Sequence, residues 1–183
     1  MKEREIKIIG HDKEALIQAL LDKGASDQGE EVQTNIRISS SSHPVPDHAY
    51  LRLRKVVKGG ETLPLEFTYK ERLEGAGARI NEETTVHIQP EEGDLLLSLL
   101  DQLGYDIREE GYKTRHTFFY KDFRVEFDQW DAQTLSYPYI EVEGPSVEAL
   151  DRFLEEFSIP SGQVTTKSIG ELRAEERKKD PRL

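Results

Sequence analysis

The sequence predicts an α+β fold in which helices pack against one large antiparallel sheet or barrel. Eight stretches alternate apolar and polar residues with the period of two that is typical of half-buried strands. Turn-forming sequences such as "KGGE" and "YKDF" separate them. Three other stretches space their apolar residues as one face of a helix does.

The predicted strands extend along most of the chain. They cover residues 2–9, 32–39, 50–57, 63–71, 79–88, 112–120, 122–130 and 137–144. The last contains Pro138, which lacks a backbone N–H, so an edge strand is expected there. Its tyrosines, Tyr137 and Tyr139, are expected in core or rim packing rather than stacked on a nucleotide.

The predicted helices lie between these strands. The first, "HDKEALIQALLDKG", places Leu16 and Leu20 on one face and ends at Gly24. The second, "PEEGDLLLSLLDQLG", begins at Pro90 and ends at Gly104. The third is "PSVEALDRFLEEF", and the tail "IGELRAEERKKDPRL" indicates a short charged helix with a solvated end.

Length and composition favour one soluble domain. The 183 residues are 36% hydrophobic and 33% charged, which is enough apolar material for a sizeable core. We therefore expect a single domain over residues 1–183, with 171–183 as a charged C-terminal tail.

The composition also excludes several classes of function. The chain has no cysteine, so it can form no disulfide, thiolate metal site or cysteine nucleophile. A formal net charge of −11 argues against general binding to nucleic acid. No apolar run resembles a secretory signal or a membrane span. The expectation is a cytoplasmic protein without nucleic-acid or membrane partners.

The polar faces of the predicted strands carry like charges in pairs. The basic pairs are Arg52 with Arg54 and Lys113 with Arg115, and the acidic pairs are Glu3 with Glu5 and Glu141 with Glu143. Like charges on the same face of a strand repel each other, which selection for stability alone would not favour. An ordinary solvated sheet face remains the alternative, because any one strand of this kind is common.

A closed barrel with its polar faces inward would turn these charges into the lining of a tunnel. Arginine and lysine side chains bind the oxygens of a phosphate chain. Carboxylates hold Mg²⁺ or Mn²⁺, and either ion can bridge to the same phosphates. The charge pattern therefore predicts a multivalent phosphate bound together with a divalent cation.

The order of these charged motifs resembles the CYTH superfamily, the triphosphate tunnel metalloenzymes. The motifs are E-x-E-x-K in "EREIK", R-x-R in "LRLR", a lysine in "FTYK", acids in "RINEE", K-x-R in "KTR", E-x-D in "VEFD" and E-x-E in "IEVEG". The likeness spans Glu3 to about Glu143. It implies an eight-stranded antiparallel β-barrel that forms a charged tunnel, with helices outside, and triphosphate-bearing substrates used with Mg²⁺ or Mn²⁺.

The resemblance implies roles for individual residues. Catalytic roles fall to Glu5, Lys70 and Asp128, the last as an acid that acts on the metal or its water. The implied metal ligands are Glu3, Glu5, Asp128, Glu141 and Glu143. The implied substrate-binding residues are Lys7, Arg52, Arg54, Lys70, Glu83, Lys113, Arg115, Arg124 and Glu126.

Two segments depart from the family pattern. Asn81 stands where the family usually has an inward acid; Glu83 is the expected inward residue, and Glu82 is the alternative because a shift of one residue exchanges them. The segment "TTKSIGEL" has Ile169 where the family usually has tyrosine, which leaves the role of Lys167 open.

The predicted tunnel suits more than one function. The first hypothesis is a metal-dependent phosphohydrolase that acts on inorganic triphosphate, thiamine triphosphate or a nucleoside triphosphate. The alternatives are a class IV adenylyl cyclase, which would make cyclic AMP and pyrophosphate from ATP, and a non-catalytic polyphosphate or nucleotide binder. Either a monomer or a homodimer is expected.

Overall fold

The computed structural model describes residues 2–74 and 77–179, which form ten strands and four helices. The strands are β1 (Lys2–Ile9), β2 (Ser26–Ser39), β3 (Ala49–Lys58), β4 (Glu61–Thr62), β5 (Leu65–Leu73), β6 (Arg79–Ile88), β7 (Ile107–Tyr120), β8 (Phe123–Trp130), β9 (Tyr139–Glu143) and β10 (Val164–Thr165). The helices are α1 (Lys13–Asp22), α2 (Gly93–Gln102), α3 (Val147–Glu156) and α4 (Ile169–Lys179).

Eight of the strands close into an antiparallel barrel. Their order is β1-β6-β5-β3-β2-β7-β8-β9, and β9 pairs back with β1. The short strands β4 and β10 extend this sheet beside β3 and β1. The predicted eight-stranded antiparallel barrel is confirmed, and the helices pack on its outside.

The sequence prediction differs from the structure most at β2, β7 and β9, and it did not include the short strands β4 and β10. β2 and β7 begin earlier than expected and pair from Ser26 opposite Phe119 to Ser39 opposite Ile107, with a bulge between Asp27 and Glu30. The prediction of an edge strand at 137–144 was wrong, because β9 pairs with both β1 and β8. Pro138 precedes the first residue of β9, so its missing N–H removes no hydrogen bond from the sheet.

Helices α1 and α3 cover the largest apolar cluster on the outer face of the barrel. Leu16 and Leu20 of α1 and Phe153 of α3 are buried in this cluster. They pack with buried residues of the barrel strands, including Ile6, Ile8, Phe118, Val125 and Val142. Asp12 and Ser146 cap the two helices by accepting hydrogen bonds from the backbone N–H of Ala15 and Ala149.

The other two helices cover smaller clusters. Leu100 of α2 packs with Ile38, Leu53 and Leu65 over strands β2, β3 and β5. Leu172 of α4 is 2% exposed and packs with Leu135 and Tyr139. The charged tail is therefore anchored through α4 rather than fully solvated, while residues 180–183 lie outside the described residues.

Within residues 2–74 and 77–179, no helix is long and apolar enough to cross a membrane.

Replacing Phe153 with alanine should destabilise the fold strongly. Phe153 is fully buried, with ring centroids 5.0 Å from Phe123 and 4.6 Å from Phe157. Its loss leaves a cavity, so Phe153→Ala should lower the free energy of unfolding in urea by about 3–5 kcal/mol. Phe119→Ala is the control. Because Phe119 is 47% exposed, its replacement should lower the free energy of unfolding by under about 1 kcal/mol. Equal losses would contradict this core.

Candidate active site and metal centre

The barrel directs its charged side chains inward and its apolar side chains outward. On β1, Ile6 and Ile8 pack beneath the helices, whereas Glu5 and Lys7 alternate with them toward the barrel interior. Among the residues that the structure describes, six charged ones are at most 5% exposed, namely Glu5, Lys7, Lys113, Arg115, Glu126 and Asp128. A buried charge is costly unless another charge pairs with it, so the interior must be a network of ion pairs.

Lys70 joins the acids of β1 and β6. Its Nζ lies 2.9 Å from Glu3 Oε2, 3.4 Å from Glu5 Oε2 and 2.6 Å from Glu83 Oε1. Burial lowers the pKa of Lys70, but Glu5, Glu83 and Glu3 outweigh it and raise the pKa overall, so Lys70 stays charged. Glu83 is therefore the inward acid of β6, while Glu82 is exposed.

Lys7 of β1 joins an acid of its own strand to an acid of β9, the neighbour of β1 on the side away from β6. Its Nζ lies 2.8 Å from Glu5 Oε1 and 2.8 Å from Glu141 Oε2. Burial disfavours the charged lysine, but these two carboxylates raise its pKa overall. The pairing of Lys7 with Glu141 in the sheet register places the two side chains together.

Asp128 holds the basic residues of β7. It accepts hydrogen bonds from Arg115 Nε at 2.7 Å, Lys113 Nζ at 2.9 Å and the Tyr139 hydroxyl at 2.8 Å. Burial raises the pKa of Asp128, but Arg115 and Lys113 outweigh it and lower the pKa to about 2. Asp128 is therefore ionised at neutral pH.

Part of the interior carries surplus positive charge. Burial, Arg52 and Arg115 lower the pKa of Arg54 to about 10, although Arg54 contacts Glu66 at 3.2 Å. Burial and Arg115 lower the pKa of Lys113 to about 7. Arg52 Nε has no hydrogen-bond partner among the described residues. These cations therefore lack enough anionic partners, which is the condition for binding an anion.

Another part of the interior carries surplus negative charge. Glu3, Glu5 and Glu143 each place a carboxylate oxygen within 4.8 Å of the others. Burial, then the neighbouring Glu126 and Glu3, raise the pKa of Glu143 to about 8. Three hard oxygen donors that repel one another fit a divalent cation such as Mg²⁺ or Mn²⁺.

The structure divides the five predicted metal ligands between two groups. Asp128 and Glu141 do not join Glu3, Glu5 and Glu143; they form a second acidic group with Glu126. The sheet register is the reason, because it pairs Glu143 with Glu5 but Glu141 with Lys7. Lys7, Lys113 and Arg115 pair with all three acids of the second group. In the first group Lys70 and Lys7 pair with Glu3 and Glu5, but no ion pair among the described residues includes Glu143, so the first group fits a metal ion better.

Arg124 and Lys167 lie at the margins of the network, whereas Asn81 is buried. Arg124 contacts Glu126 at 2.6 Å, and its side chain is 40% exposed. Asn81 is fully buried and accepts a hydrogen bond from Arg79 Nε. Lys167 contacts Glu175 at 2.5 Å, with its side chain 46% exposed, so it does not enter the charged interior.

Sequence reasoning missed the interior residues Gln33 and Asn35, whereas Tyr139 was expected in core or rim packing. Gln33 and Asn35 are buried on β2, in register with Lys113 and Arg54. Tyr139 is buried and also accepts a hydrogen bond from Trp130 Nε1 at 3.1 Å. Gln33 and Asn35 follow the alternation of an inward face, but their uncharged side chains do not distinguish that face from an ordinary solvated one.

A family model for the CYTH domain matches residues 1–182. The chain belongs to the CYTH family. Solved structures share its fold, among them the PH1819 protein of Pyrococcus horikoshii OT3, with 23% identity, a TM-score of 0.75 and coverage of 96% of this chain and 99% of that chain. The PH1012 protein of the same organism has 20% identity, a TM-score of 0.73 and coverage of 93% and 98%.

A third CYTH-like structure is HpAC1 of Hippeastrum, a protein in which a triphosphatase activity is dominant. It has 17% identity, a TM-score of 0.67 and coverage of 94% of this chain and 96% of that chain. No curated protein sequence matches the chain significantly. At these identities the structural likenesses establish the fold alone. The function has to be inferred from the arrangement of charges inside the barrel.

Glu143→Gln should flatten the dependence of stability on pH. The folded pKa of about 8 exceeds the ordinary value of 4.5, so the folded protein keeps a proton that the unfolded chain loses. This contribution is complete below pH 4.5 and is lost as pH rises toward 8. Wild type should therefore lose free energy of unfolding as the pH rises from 5 to 8.5 in EDTA. Over the same range Glu143→Gln should lose at least about 1 kcal/mol less.

Urea unfolding at the two pH values measures this difference. Glu82→Gln is the matched control, because Glu82 lies on the exposed face of β6. A Glu143→Gln protein whose stability follows that of wild type at both pH values would show that Glu143 does not lie in an acidic cluster.

Proposed function

We propose that this CYTH protein is a metal-dependent phosphohydrolase of triphosphate-bearing substrates. The observation that carries the proposal is the separation of charge inside the barrel. Arg54 and Lys113 each contact one carboxylate, but repulsion from the neighbouring Arg52 and Arg115 leaves this region with excess positive charge, while Glu3, Glu5 and Glu143 repel one another. A polyphosphate with a bound divalent cation supplies both missing charges at once.

The basic residues suit a chain of phosphates rather than a single anion. Arg52 and Arg54 face inward from β3, and Lys113 and Arg115 face inward from β7. Guanidinium groups bind phosphate oxygens in pairs, and the lysine adds a point charge. We assign these four residues, together with Lys7, Lys70 and Arg124, to the substrate, while Glu83 and Glu126 hold Lys70 and Arg115 in place.

The acids Glu3, Glu5 and Glu143 would hold the metal ion. A bound Mg²⁺ or Mn²⁺ would neutralise phosphate charge and polarise the phosphoryl oxygen. Arg115 contacts Asp128 and Lys7 contacts Glu141, so we assign these two acids first to anchoring those cations.

Phosphoryl transfer requires mainly positioning and neutralisation of charge, and the chain has residues for both. Lys70 stays protonated between Glu3, Glu5 and Glu83, so it can stabilise negative charge that develops on a phosphoryl oxygen. Glu5 contacts both Lys7 and Lys70 and therefore couples the acidic group to the cations. Asp128 fixes Arg115 and Lys113 by hydrogen bonds, which keeps their donors oriented without a ligand.

The products of a turnover assay test this proposal. Purified protein with Mg²⁺ or Mn²⁺ should release orthophosphate from one or more of tripolyphosphate, thiamine triphosphate and ATP, and EDTA should abolish the release. Cyclic AMP with pyrophosphate from ATP would identify a cyclase instead. Binding without any turnover would identify a non-catalytic binder.

Arg54→Ala links the activity to the tunnel. Loss of one charge-assisted contact to phosphate should lower kcat/KM by about 100-fold or more. Stability should change little, because removing Arg54 also relieves its repulsion with Arg52 and Arg115. Arg152→Ala is the control, since Arg152 is exposed on α3. Full activity of Arg54→Ala would show that Arg54 does not bind the substrate.

A further inference from the structure

Two uncharged side chains interrupt the charged lining of the tunnel. Gln33 and Asn35 are 1% and 6% exposed and lie on the inward face of β2. In the sheet register Gln33 pairs with Lys113 of β7, and Asn35 pairs with Arg54 of β3. Both amides therefore lie beside cations that we assign to the triphosphate.

Hydrogen bonds fix the orientation of each amide. Asn35 Oδ1 accepts from Arg54 Nε at 3.0 Å, which leaves Asn35 Nδ2 as a donor. Gln33 Nε2 donates to Glu31 Oε1 at 2.5 Å, which leaves Gln33 Oε1 as an acceptor. Neither of these remaining atoms has a partner among the described residues. Because buried polar atoms are normally paired, the two atoms indicate a ligand that has both an acceptor and a donor.

The side chains that neighbour Gln33 and Lys113 in the sheet suit an organic group. Val56 of β3 pairs with Gln33, is 4% exposed and belongs to none of the apolar clusters beneath the helices. Trp130 pairs with Lys113, whose Nζ lies 5.1 Å from the indole centroid. Gly111 makes room for this indole, because a Cβ there would lie 3.2 Å from Trp130 Cζ3. An aliphatic, an aromatic and an amide side chain thus adjoin the phosphate-binding cations.

Inorganic triphosphate can pair with only one of the two unpaired amide atoms. Its oxygens are acceptors, so they suit Asn35 Nδ2 and the arginines but not Gln33 Oε1, which needs a donor. A hydroxyl group of the substrate would supply that donor. In a nucleoside triphosphate, the sugar is the first organic group beyond the phosphates, so its hydroxyls are the nearest donors.

We infer that Gln33 selects nucleoside triphosphates over inorganic triphosphate by accepting a hydrogen bond from a sugar hydroxyl. Asn35 Nδ2 then donates to a phosphate oxygen beside Arg54. This inference rests on the proposed function, since it takes the cations around Arg54 and Lys113 as the phosphate site. A site built to pair with a hydroxyl discriminates against analogues that lack it.

The test measures kcat/KM for four substrates in wild type and in two variants. The substrates are ATP, 2′-deoxyATP, 3′-deoxyATP and tripolyphosphate, each with Mg²⁺. Gln33→Met keeps the length of the side chain but removes the acceptor. Gln129→Met is the matched control, because Gln129 is exposed on β8.

In wild type, one of the two deoxy substrates should have a kcat/KM about 3- to 10-fold below that of ATP. Gln33→Met should lower kcat/KM for ATP to the level of that deoxy substrate and abolish the difference between them. The ratio of ATP to tripolyphosphate turnover should fall by the same factor. Gln129→Met should keep the wild-type ratios.

Two results would overturn the role of Gln33. One is equal kcat/KM for ATP and both deoxy forms in wild type, which decides the matter even if Gln33→Met does not fold. The other is an equal loss with all four substrates in Gln33→Met. Turnover of tripolyphosphate alone would retain the proposed function and reject this inference, whereas turnover of none of the four, with thiamine triphosphate also left intact, would reject both.

Discussion

The interior ion pairs of Lys7 and Lys70 are the constraint on which the rest of the structure depends. These two lysines connect acids from β1, β6 and β9, the three strands that meet where the barrel closes. Ionised side chains inside a protein are costly when unpaired, so closing the barrel with its polar faces inward is tolerable only with such pairs. The apolar faces must then lie outside, and the helices have to cover them.

The pairing is incomplete in two places, and the same residues define the candidate site. Glu143 has a raised pKa beside Glu3 and Glu5, while Arg54 and Lys113 have lowered pKa values beside other cations. Interior charges that stability alone had selected would be neutralised locally, as Asp128 is by Arg115. The unbalanced regions are better explained by ligands of opposite charge than by folding.

The sequence was sufficient to predict the fold class and the inward faces, because alternation along a strand needs no knowledge of its neighbours. Which acids meet could not be predicted, since that depends on register: Glu141 and Glu143 look equivalent in "IEVEG", yet one pairs with Lys7 and the other with Glu5. Gln33 and Asn35 were missed because an uncharged strand face resembles ordinary solvated sheet. The packing of Leu172 likewise depends on tertiary contacts that a charged tail does not reveal.

Thermal unfolding with Mg²⁺, with tripolyphosphate and with both together tests the central claim most directly. If the acids and the cations are two halves of one site, either ligand alone leaves half of the charge unbalanced. Each ligand should then raise the affinity for the other, so the two ligands together should raise the midpoint by more than the sum of the separate shifts. Shifts that merely add, or no shift with either ligand, would contradict a joint metal and triphosphate site in the barrel.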